Sequence, residues 1–257
     1  MVFADAHLAR RLEAAEAANA RGCATQPDAA VLEIAGGCAI FVGADSPLTQ
    51  AVGLGLNGPV GIAEISGMES FFRSRGARVS IDLCPLADPS LVVVLRERGY
   101  HPTEFNNVLV RPLAAAEIVA TPRVRVAGAG ESDLWSHTVG QGFFDQPELT
   151  AEEMDVGRAI FAMPGVVCHL ALDDSGAPVG GGALAIHHGL ATLFADTTIA
   201  RCRRQGLHCE LISARLNEAI ARGCDMATAS TLPGSASQRN YERRGFQVVY
   251  TKVTLVR

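Results

Sequence analysis

The sequence predicts an α/β (α+β) protein built from two tandem units, each a mixed, mainly antiparallel sheet flanked by helices. Three observations lead to this prediction. Predicted helices and short strands alternate along all 257 residues. The composition, 48% hydrophobic and 19% charged, allows the chain to bury one large core or two smaller ones. An Arg-Gly pattern also occurs twice, with matching elements around it.

The repeat consists of "RG" at 75–76 before "RGY" at 98–100, and "RG" at 222–223 before "RGF" at 244–246. Each half offers a long helix ended by glycine, a strand, a short helix ending in Arg-Gly-aromatic, and a closing strand. An internal duplication of this kind predicts two domains, 1–113 and 122–257. The small residues and proline of 113–123 are typical of a linker.

The first half begins with helical spacing over 5–21. Its predicted strands are 30–37, 38–44, 49–56, 77–84 and 105–113, bounded by Gly, Asn and Pro. A helix over 60–76 places Ile62, Ile65, Met68 and Phe72 on one stripe. A shorter helix is predicted over 88–99.

The second half repeats this order with more elements. Helices are predicted over 131–143, 150–163, 206–222 and 235–245, the second opened by a capping box of Thr150 and Glu153. Strands are predicted at 124–129, 165–174, 178–188, 190–199, 225–231 and 246–256. Of these, 165–199 form a three-stranded antiparallel meander joined by tight turns.

Composition and charge exclude several functional classes. The net charge is −5 and Lys252 is the only lysine, so the chain lacks the broad basic face that non-specific nucleic-acid binding needs. No uninterrupted run of 18 apolar residues predicts a membrane span, and the charged start predicts no signal peptide. The seven cysteines form no CxxC pair. They argue against a metal site or a disulfide framework and favour a cytoplasmic protein.

Positive charge is concentrated in one short stretch. Arg201, Arg203 and Arg204 precede Gly206, between a strand predicted to end near Thr198 and the predicted helix 206–222. The first turn of a helix has unpaired N–H groups and a partial positive charge, and glycine lets the backbone approach a ligand closely. The stretch therefore predicts a pyrophosphate site. The alternative is a solvated basic loop that happens to precede a helix.

Two motifs carry a resemblance to a known superfamily. The run 203–208, Arg-Arg-Gln-Gly-Leu-His, resembles the Arg-x-x-Gly-x-(Gly/Ala) acetyl-CoA loop of GNAT-type N-acetyltransferases, although His208 replaces the usual small residue. Tyr241, Gly245 and Phe246 match the Tyr-x-x-x-Gly-Phe of a short helix in that superfamily, and 223–246 looks especially like a bacterial subgroup. The order of elements over 124–257 is also similar. The first half looks like the same fold without the loop, which implies a degenerate domain.

The resemblance implies an acyltransferase (EC 2.3.1.-) that moves an acetyl group from acetyl-CoA directly to a primary amine, with no metal. Pantetheine is implied to pair with strand 190–199 and diphosphate to lie on the loop. Tyr241 is the implied general acid for the departing thiolate; the alternative is that its ring only packs against helix 206–222. The implied cofactor-binding residues are Thr197, Thr198, Arg203, Arg204, Gln205, Gly206, Leu207, His208 and Ser237.

Amine acetylation also needs a proton acceptor, because a free alkylamine has a pKa of about 10.4. Asp196 shares a strand face with Thr198 and is the predicted general base. Glu210, His187 and His188 are the alternatives.

The acceptor is expected to be a small-molecule amine rather than a protein, and a homodimer is compatible with the sequence. Trp135, Phe143 and Phe144 lie in the helical segment that lines the acceptor pocket in this superfamily, and they are interpreted either as that pocket or as core. A non-catalytic acyl-CoA binding or sensing protein is the alternative function. It would keep the loop and lose the acid and base, so Tyr241 favours the enzyme. A structural interaction protein would not need the arginine loop.

Overall fold

The computed structural model describes residues 2–114 and 118–257, and it confirms the predicted alternation of helices and strands. Its contacts divide the chain into two compact units. Unit 1 comprises Met1–Val108, Thr231–Pro233 and Val248–Arg257, and unit 2 comprises Leu109–Ser230 and Gly234–Gln247. The predicted linker 113–123 lies partly outside the described residues.

Unit 1 is a mixed sheet with three helices. In chain order its elements are α1 (Ala6–Gly22), β1 (Ala30–Ile34), β2 (Gly37–Phe41), β3 (Gln50–Val52), α2 (Ile62–Arg73), β4 (Ser80–Leu83), α3 (Pro89–Glu97) and β5 (His101–Pro112). Strands β1, β2 and β3 are consecutive antiparallel neighbours, and β3 runs parallel to β4. On α2, Ile65, Met68 and Phe72 are buried in the core as predicted, whereas Ile62 at the start of the helix is 59% exposed.

Unit 2 has the same plan with two helices between its first strands. Its elements are β6 (Val124–Val126), α4 (Ser132–Phe144), α5 (Ala151–Phe161), β7 (Val167–Leu172), β8 (Pro178–His187), β9 (Leu190–Thr198), α6 (Leu207–Ala221), β10 (Met226–Thr231) and α7 (Ala236–Arg243). Strands β6 to β9 are antiparallel neighbours, and β9 runs parallel to β10. The predicted capping box is present: Glu153 N–H donates to Thr150 Oγ1 (3.2 Å), and Thr150 N–H donates to Glu153 Oε2 (2.8 Å).

The last strand, β11 (Gln247–Val256), belongs mainly to unit 1. It pairs antiparallel with β4, with Val253 opposite Leu83 and Val256 opposite Ser80. The second half of β5, from Leu109 onwards, belongs in turn to unit 2 and neighbours β10 there. The compact units therefore depart from the predicted ranges 1–113 and 122–257, because each half provides strand residues to the unit formed mostly by the other half.

A buried charge cluster holds β11 within unit 1. Lys252 on β11 is 1% exposed, and its Nζ lies 3.1 Å from Glu13 Oε1 and 3.4 Å from Asp82 Oδ2 and also contacts Glu16. The Tyr250 hydroxyl, on the same strand, donates to Glu13 Oε1 at 2.8 Å. Burial by itself lowers the pKa of Lys252, but the three carboxylates outweigh it and raise that pKa well above its usual value. The only lysine of the chain is therefore a structural cation.

The other sequence expectations concern thiols and membrane spans. All seven cysteines are free thiols, and all but the half-buried Cys209 are buried, as expected of small apolar side chains in a core. Among the described residues, no helix has both the length and the apolar character needed to cross a membrane.

Candidate functional site

A bulge in β9 lies at the centre of the candidate site in unit 2. Gly181 and Ala183 of β8 pair with Thr197 and Phe194 of β9, so two residues of β9 oppose the single Gly182. One of those two, Ala195, has a left-handed φ of 54°. A bulge of this kind bends the strand and re-aims its side chains and N–H groups.

The ladder between β9 and its parallel neighbour β10 ends before the bulge. Among the described residues, the ladder between β9 and β10 covers only Leu190 to Thr192, opposite Met226 to Thr228. From there to Thr198, the edge of β9 that faces β10 is left for another extended partner. The Thr198 hydroxyl is buried and has no hydrogen-bond partner among the described residues, so it could hydrogen-bond to a group bound at this edge.

The loop after β9 ends at the N-terminus of α6, where the first N–H groups of the helix are exposed to the loop; this end is called the helix mouth below. Gly206 caps that helix with a φ of 82°, and no side chain caps the helix end. Arg204 also has a left-handed φ, 64°, and Arg204 and Gln205 are exposed. Because the cap residue Gly206 has no side chain to accept from the first N–H groups of α6, and the helix dipole is positive there, this end of the helix suits an anionic group.

Two arginines brace this loop. Arg203 donates to Thr198 O (3.0 Å) and Gly142 O (3.1 Å), so its guanidinium fixes the loop against α4. Arg123 donates from Nη2 to Gln205 O (3.0 Å) and from Nε to Glu210 Oε1 (2.9 Å). The sequence analysis missed Arg123, which it placed at the end of the linker. Its only signal there was a positive charge just before a strand.

Asp196, the second residue of the bulge, is the hub of a buried polar network. Its carboxylate accepts hydrogen bonds from Arg215 Nη1 and the Tyr241 hydroxyl, and His208 Nε2 lies 3.2 Å from Oδ2. Arg215 is fully buried and the Asp196 side chain is 8% exposed. A Cβ on Gly182 would lie 2.8 Å from both Asp196 Oδ1 and the Arg215 guanidinium carbon. Glycine at 182 therefore makes room for the ion pair.

The network sets the charge states of its members. Burial alone raises the pKa of Asp196, but Arg215 and then His208 outweigh it, so that this pKa is lowered to about 2. Burial, reinforced by the Asp196 carboxylate, raises the pKa of Tyr241 well above its usual value. At neutral pH the network therefore contains a carboxylate, a guanidinium and a protonated phenol.

The structure gives His208, the residue that departs from the loop motif, a definite place. Its ring turns back from the loop, with Nδ1 2.9 Å from the Asn240 amide nitrogen and Nε2 towards Asp196. Its ring centroid also lies 5.8 Å from that of Tyr241. The side chain thus occupies the space between α6 and α7 rather than the space in front of the helix mouth. Ser237 is half-buried in the first turn of α7.

Arg215 and Asn240 were not anticipated from the sequence. Arg215 lies among the apolar positions of α6, between Ile212 and Leu216, where an arginine is ordinarily interpreted as a charge that reaches solvent. Its position on an otherwise buried stripe was the only signal available. No signal in the sequence indicated a role for Asn240, because that role depends on the orientation of His208.

The alternative bases occupy other settings. Glu210 is ion-paired with Arg123. His187 ends β8, where burial lowers its pKa, and His188 lies in the following turn with a φ of 48°. None of the three takes part in the network around Asp196 in the described residues.

Of the three aromatic residues of α4, one belongs to the hydrophobic core and two are exposed where an acceptor could bind. Trp135 is fully buried, and its Nε1 donates to His169 O at 3.1 Å, so it belongs to the core. Phe143 and Phe144, at the end of the helix, are 59% and 42% exposed. Those two rings remain available to a ligand.

Unit 1 differs at the corresponding helix mouth. Gly61 N–H, at the start of α2, donates to Glu64 Oε2 at 2.7 Å. The preceding loop, 53–61, contains no basic residue. Where α6 leaves its first N–H groups open, α2 covers its mouth with its own carboxylate.

Solved structures similar to this chain are N-acetyltransferases in fold. A GCN5-related N-acetyltransferase from Kribbella flavida is 22% identical, with 96% of this chain and 95% of that chain covered and a TM-score of 0.68. A tandem GNAT protein from the clavulanic acid biosynthesis pathway is 13% identical, with 93% and 87% covered and a TM-score of 0.64. A GCN5-related N-acetyltransferase from Sphaerobacter thermophilus is 15% identical, with 89% and 75% covered and a TM-score of 0.57. The sequence matches no model of a known family and no curated protein.

These likenesses confirm the predicted fold: a tandem GNAT arrangement of mainly antiparallel sheets flanked by helices. At such identities the likeness concerns the fold, and the chemistry has to be argued from the site.

Proposed function

We propose that unit 2 is an N-acetyltransferase that uses acetyl-CoA and transfers the acetyl group directly to a primary amine. The observation that carries this proposal is the uncapped mouth of α6 directly after a strand that has left its ladder. One end of this arrangement suits a diphosphate and the other suits an extended amide chain such as pantetheine. The GNAT fold of the chain is consistent with both.

The residues present fit coenzyme A. The N–H groups of the loop and of the first turn of α6, from Gly206 to His208, would hold the diphosphate, with Arg204 adding charge. Backbone groups of Thr197 and Thr198 on β9 would pair with pantetheine, and the unpartnered Thr198 hydroxyl would gain an acceptor or donor. When bound, acetyl-CoA supplies the thioester whose acyl group is transferred.

The bulge and the network supply the protein's share of the chemistry. An N–H of the bulge around Ala195 would stabilise negative charge on the carbonyl oxygen under attack. Tyr241 is the proposed proton donor to the thiolate, and its O–H must turn from Asp196 towards the cleft to act. Asp196, with a pKa of about 2, is a poor proton acceptor at neutral pH. We propose that it holds the Tyr241 hydroxyl until the thiolate forms and that water takes the proton of the amine.

The proposed acceptor is a small molecule that contacts the exposed rings of Phe143 and Phe144. We also propose that the protein is bacterial and cytoplasmic and that it forms a homodimer. The degenerate character of unit 1 is proposed from its covered helix mouth and its loop without basic residues.

A second function, binding or sensing of an acyl-CoA without catalysis, is favoured by one observation. The hydroxyl of Tyr241 is already engaged by Asp196, and the residue is 1% exposed. Release of free thiol from acetyl-CoA in the presence of a panel of amines separates the two functions. A sensor binds acetyl-CoA and releases no thiol with any amine.

The full chain is expected to bind one molecule of coenzyme A, because the loop before α6 carries Arg203 and Arg204 whereas the corresponding loop before α2, residues 53–61, contains no basic residue. Isothermal titration calorimetry gives the stoichiometry directly. The intact chain has to be used, since neither 1–113 nor 122–257 contains all the strands of its unit. A stoichiometry near two would show that unit 1 is also a working site.

Tyr241→Phe is expected to lower kcat and kcat/KM together by about 10²-fold, the low end for loss of a general acid, because a thiolate is a fair leaving group. Affinity for coenzyme A should hardly change, because the ring keeps its contacts with Phe246 and His208. The matched control is Tyr250→Phe in unit 1, which removes a buried hydroxyl bound to Glu13. It should lower stability but leave turnover unchanged. If Tyr241→Phe kept full turnover, the hydroxyl of Tyr241 would have no role in catalysis and the residue would only pack.

A further inference from the structure

A pocket of unit 2 outside the candidate functional site is lined by arginines. This cavity, of about 240 Å³, lies between α6, the end of α7 and the unit 2 part of β5. Arg111, Arg243 and Arg244 line it, together with the polar side chains of Ser213 and Asn217. None of the described residues that line it carries a negative charge. In a chain with a net charge of −5, this is a local reversal of sign.

Arg243, the last residue of α7, and Arg244, which follows it, differ from several other arginines of the protein. Arg98, Arg123 and Arg215 are each paired with a carboxylate. Neither Arg243 nor Arg244 forms a salt bridge with any residue that the structure describes. The Nε of Arg244 is buried without a hydrogen-bond partner among those residues, a costly state that an anion in the pocket would relieve.

We propose that this pocket binds a small phosphate monoester. Guanidinium groups match phosphate oxygens with paired hydrogen bonds, and a dianion balances more of the local charge than a monocarboxylate does. The Ser213 hydroxyl adds a donor, and the apolar side chains of Val119 and Leu216 provide a wall for the organic part of the ligand. The cavity is smaller than the ~300–1,000 Å³ typical of sites for drug-sized molecules, so the ligand is small.

A chain of hydrogen bonds leads from this pocket to the network around Asp196. Arg243 Nη1 donates to Asn240 Oδ1 at 3.1 Å, and the Asn240 amide nitrogen lies 2.9 Å from His208 Nδ1. His208 Nε2 lies 3.2 Å from Asp196 Oδ2. An anion that draws Arg243 into the pocket releases the Asn240 carbonyl and so changes what holds His208. Binding in the pocket is therefore coupled to the site.

The test uses inorganic phosphate as the probe and the full chain as the protein. Phosphate affinity is measured by calorimetry, and the side-chain signals of His208 are followed by ¹⁵N NMR during the titration. We expect saturable binding, a shift of the His208 signals, and a 10- to 100-fold weaker affinity in the double variant Arg243→Gln/Arg244→Gln. Arg239→Gln, on the exposed face of α7 outside the pocket, should bind phosphate as the wild type does.

Two further variants keep the outcomes separate. Gly206→Asp closes the α6 mouth and should leave phosphate binding in the arginine pocket intact, so failure of the proposed acetyl-CoA site does not affect this test. If the double variant does not fold, Arg244→Lys replaces it in the test. Lysine retains the positive charge but cannot form paired hydrogen bonds with phosphate, so this variant should bind phosphate with intermediate affinity. Unchanged affinity in the double variant, absence of phosphate binding, or loss of all phosphate binding in Gly206→Asp would overturn the proposal. Competition of phosphate with coenzyme A but not with dephospho-coenzyme A would also overturn it, by making the pocket part of the cofactor site.

Discussion

Gly206→Asp should remove coenzyme A binding from the full chain while the protein stays folded. A Cβ at this position has room, since its nearest neighbour would be Arg123 Nη2 at 3.7 Å, and aspartate tolerates the left-handed conformation better than most residues. Its carboxylate would occupy the mouth of α6 much as Glu64 occupies the mouth of α2. Steric and charge effects together should weaken binding by about 2–4 kcal/mol, or roughly 30- to 1,000-fold.

The measurement is calorimetric titration with coenzyme A, accompanied by thermal melting. Gly206→Ala introduces the same backbone strain without the charge and should lose much less affinity. Gly61→Asp, at the corresponding position of α2, is the matched control in unit 1 and should bind coenzyme A as the wild type does. Wild-type affinity in a folded Gly206→Asp protein would place the cofactor site elsewhere.

Lys252→Met should destabilise the protein by about 3–5 kcal/mol, because it leaves the buried Glu13 and Asp82 and the half-buried Glu16 without their shared cation. The melting temperature should fall by on the order of 10 °C. Arg21→Gln is the matched control, because it breaks an ion pair with Glu33 in the same unit that is largely exposed. It should cost less than about 1 kcal/mol. A melting temperature within a degree of the wild type would show that the cluster contributes little.

The cost of Lys252→Met should also depend on pH. Burial raises the pKa of Glu16 to about 7 even with Lys252 present, and loss of the cation should raise it further. A carboxyl whose pKa is higher in the folded than in the unfolded protein takes up a proton on folding, so stability falls as pH rises above the unfolded value. The deficit of the variant should therefore be largest at neutral pH and shrink towards pH ~5. An equal deficit at both pH values would contradict this account.

Local pattern predicted nearly all the elements of this chain, because periodicity, caps and glycine stops are properties of neighbouring residues. Local pattern could not predict that β11 pairs with β4, because any strand of suitable pattern fits an open sheet edge. Contacts between residues distant in sequence, such as Lys252 and Glu13, determine which strand pairs there. The loop around Gly206 could be predicted because its arginines and its glycine are neighbours in the sequence. The surroundings of Asp196 could not be predicted, because they depend on a bulge, on Gly182 opposite, and on Arg215 from another element.

The exchanged strand also bears on the order in which the protein is made. Unit 2 has all its residues once Gln247 has been synthesised, whereas unit 1, most of which precedes unit 2 in sequence, still lacks Val248–Arg257. Until those residues emerge, β4 presents an unpaired edge, and the carboxylates of α1 and β4 lack their cation. Nascent domains usually fold in chain order, and an open strand edge invites pairing with other chains. Here unit 1 is started before unit 2 and completed after it, so its solubility during synthesis depends on how quickly Val248–Arg257 follow Gln247.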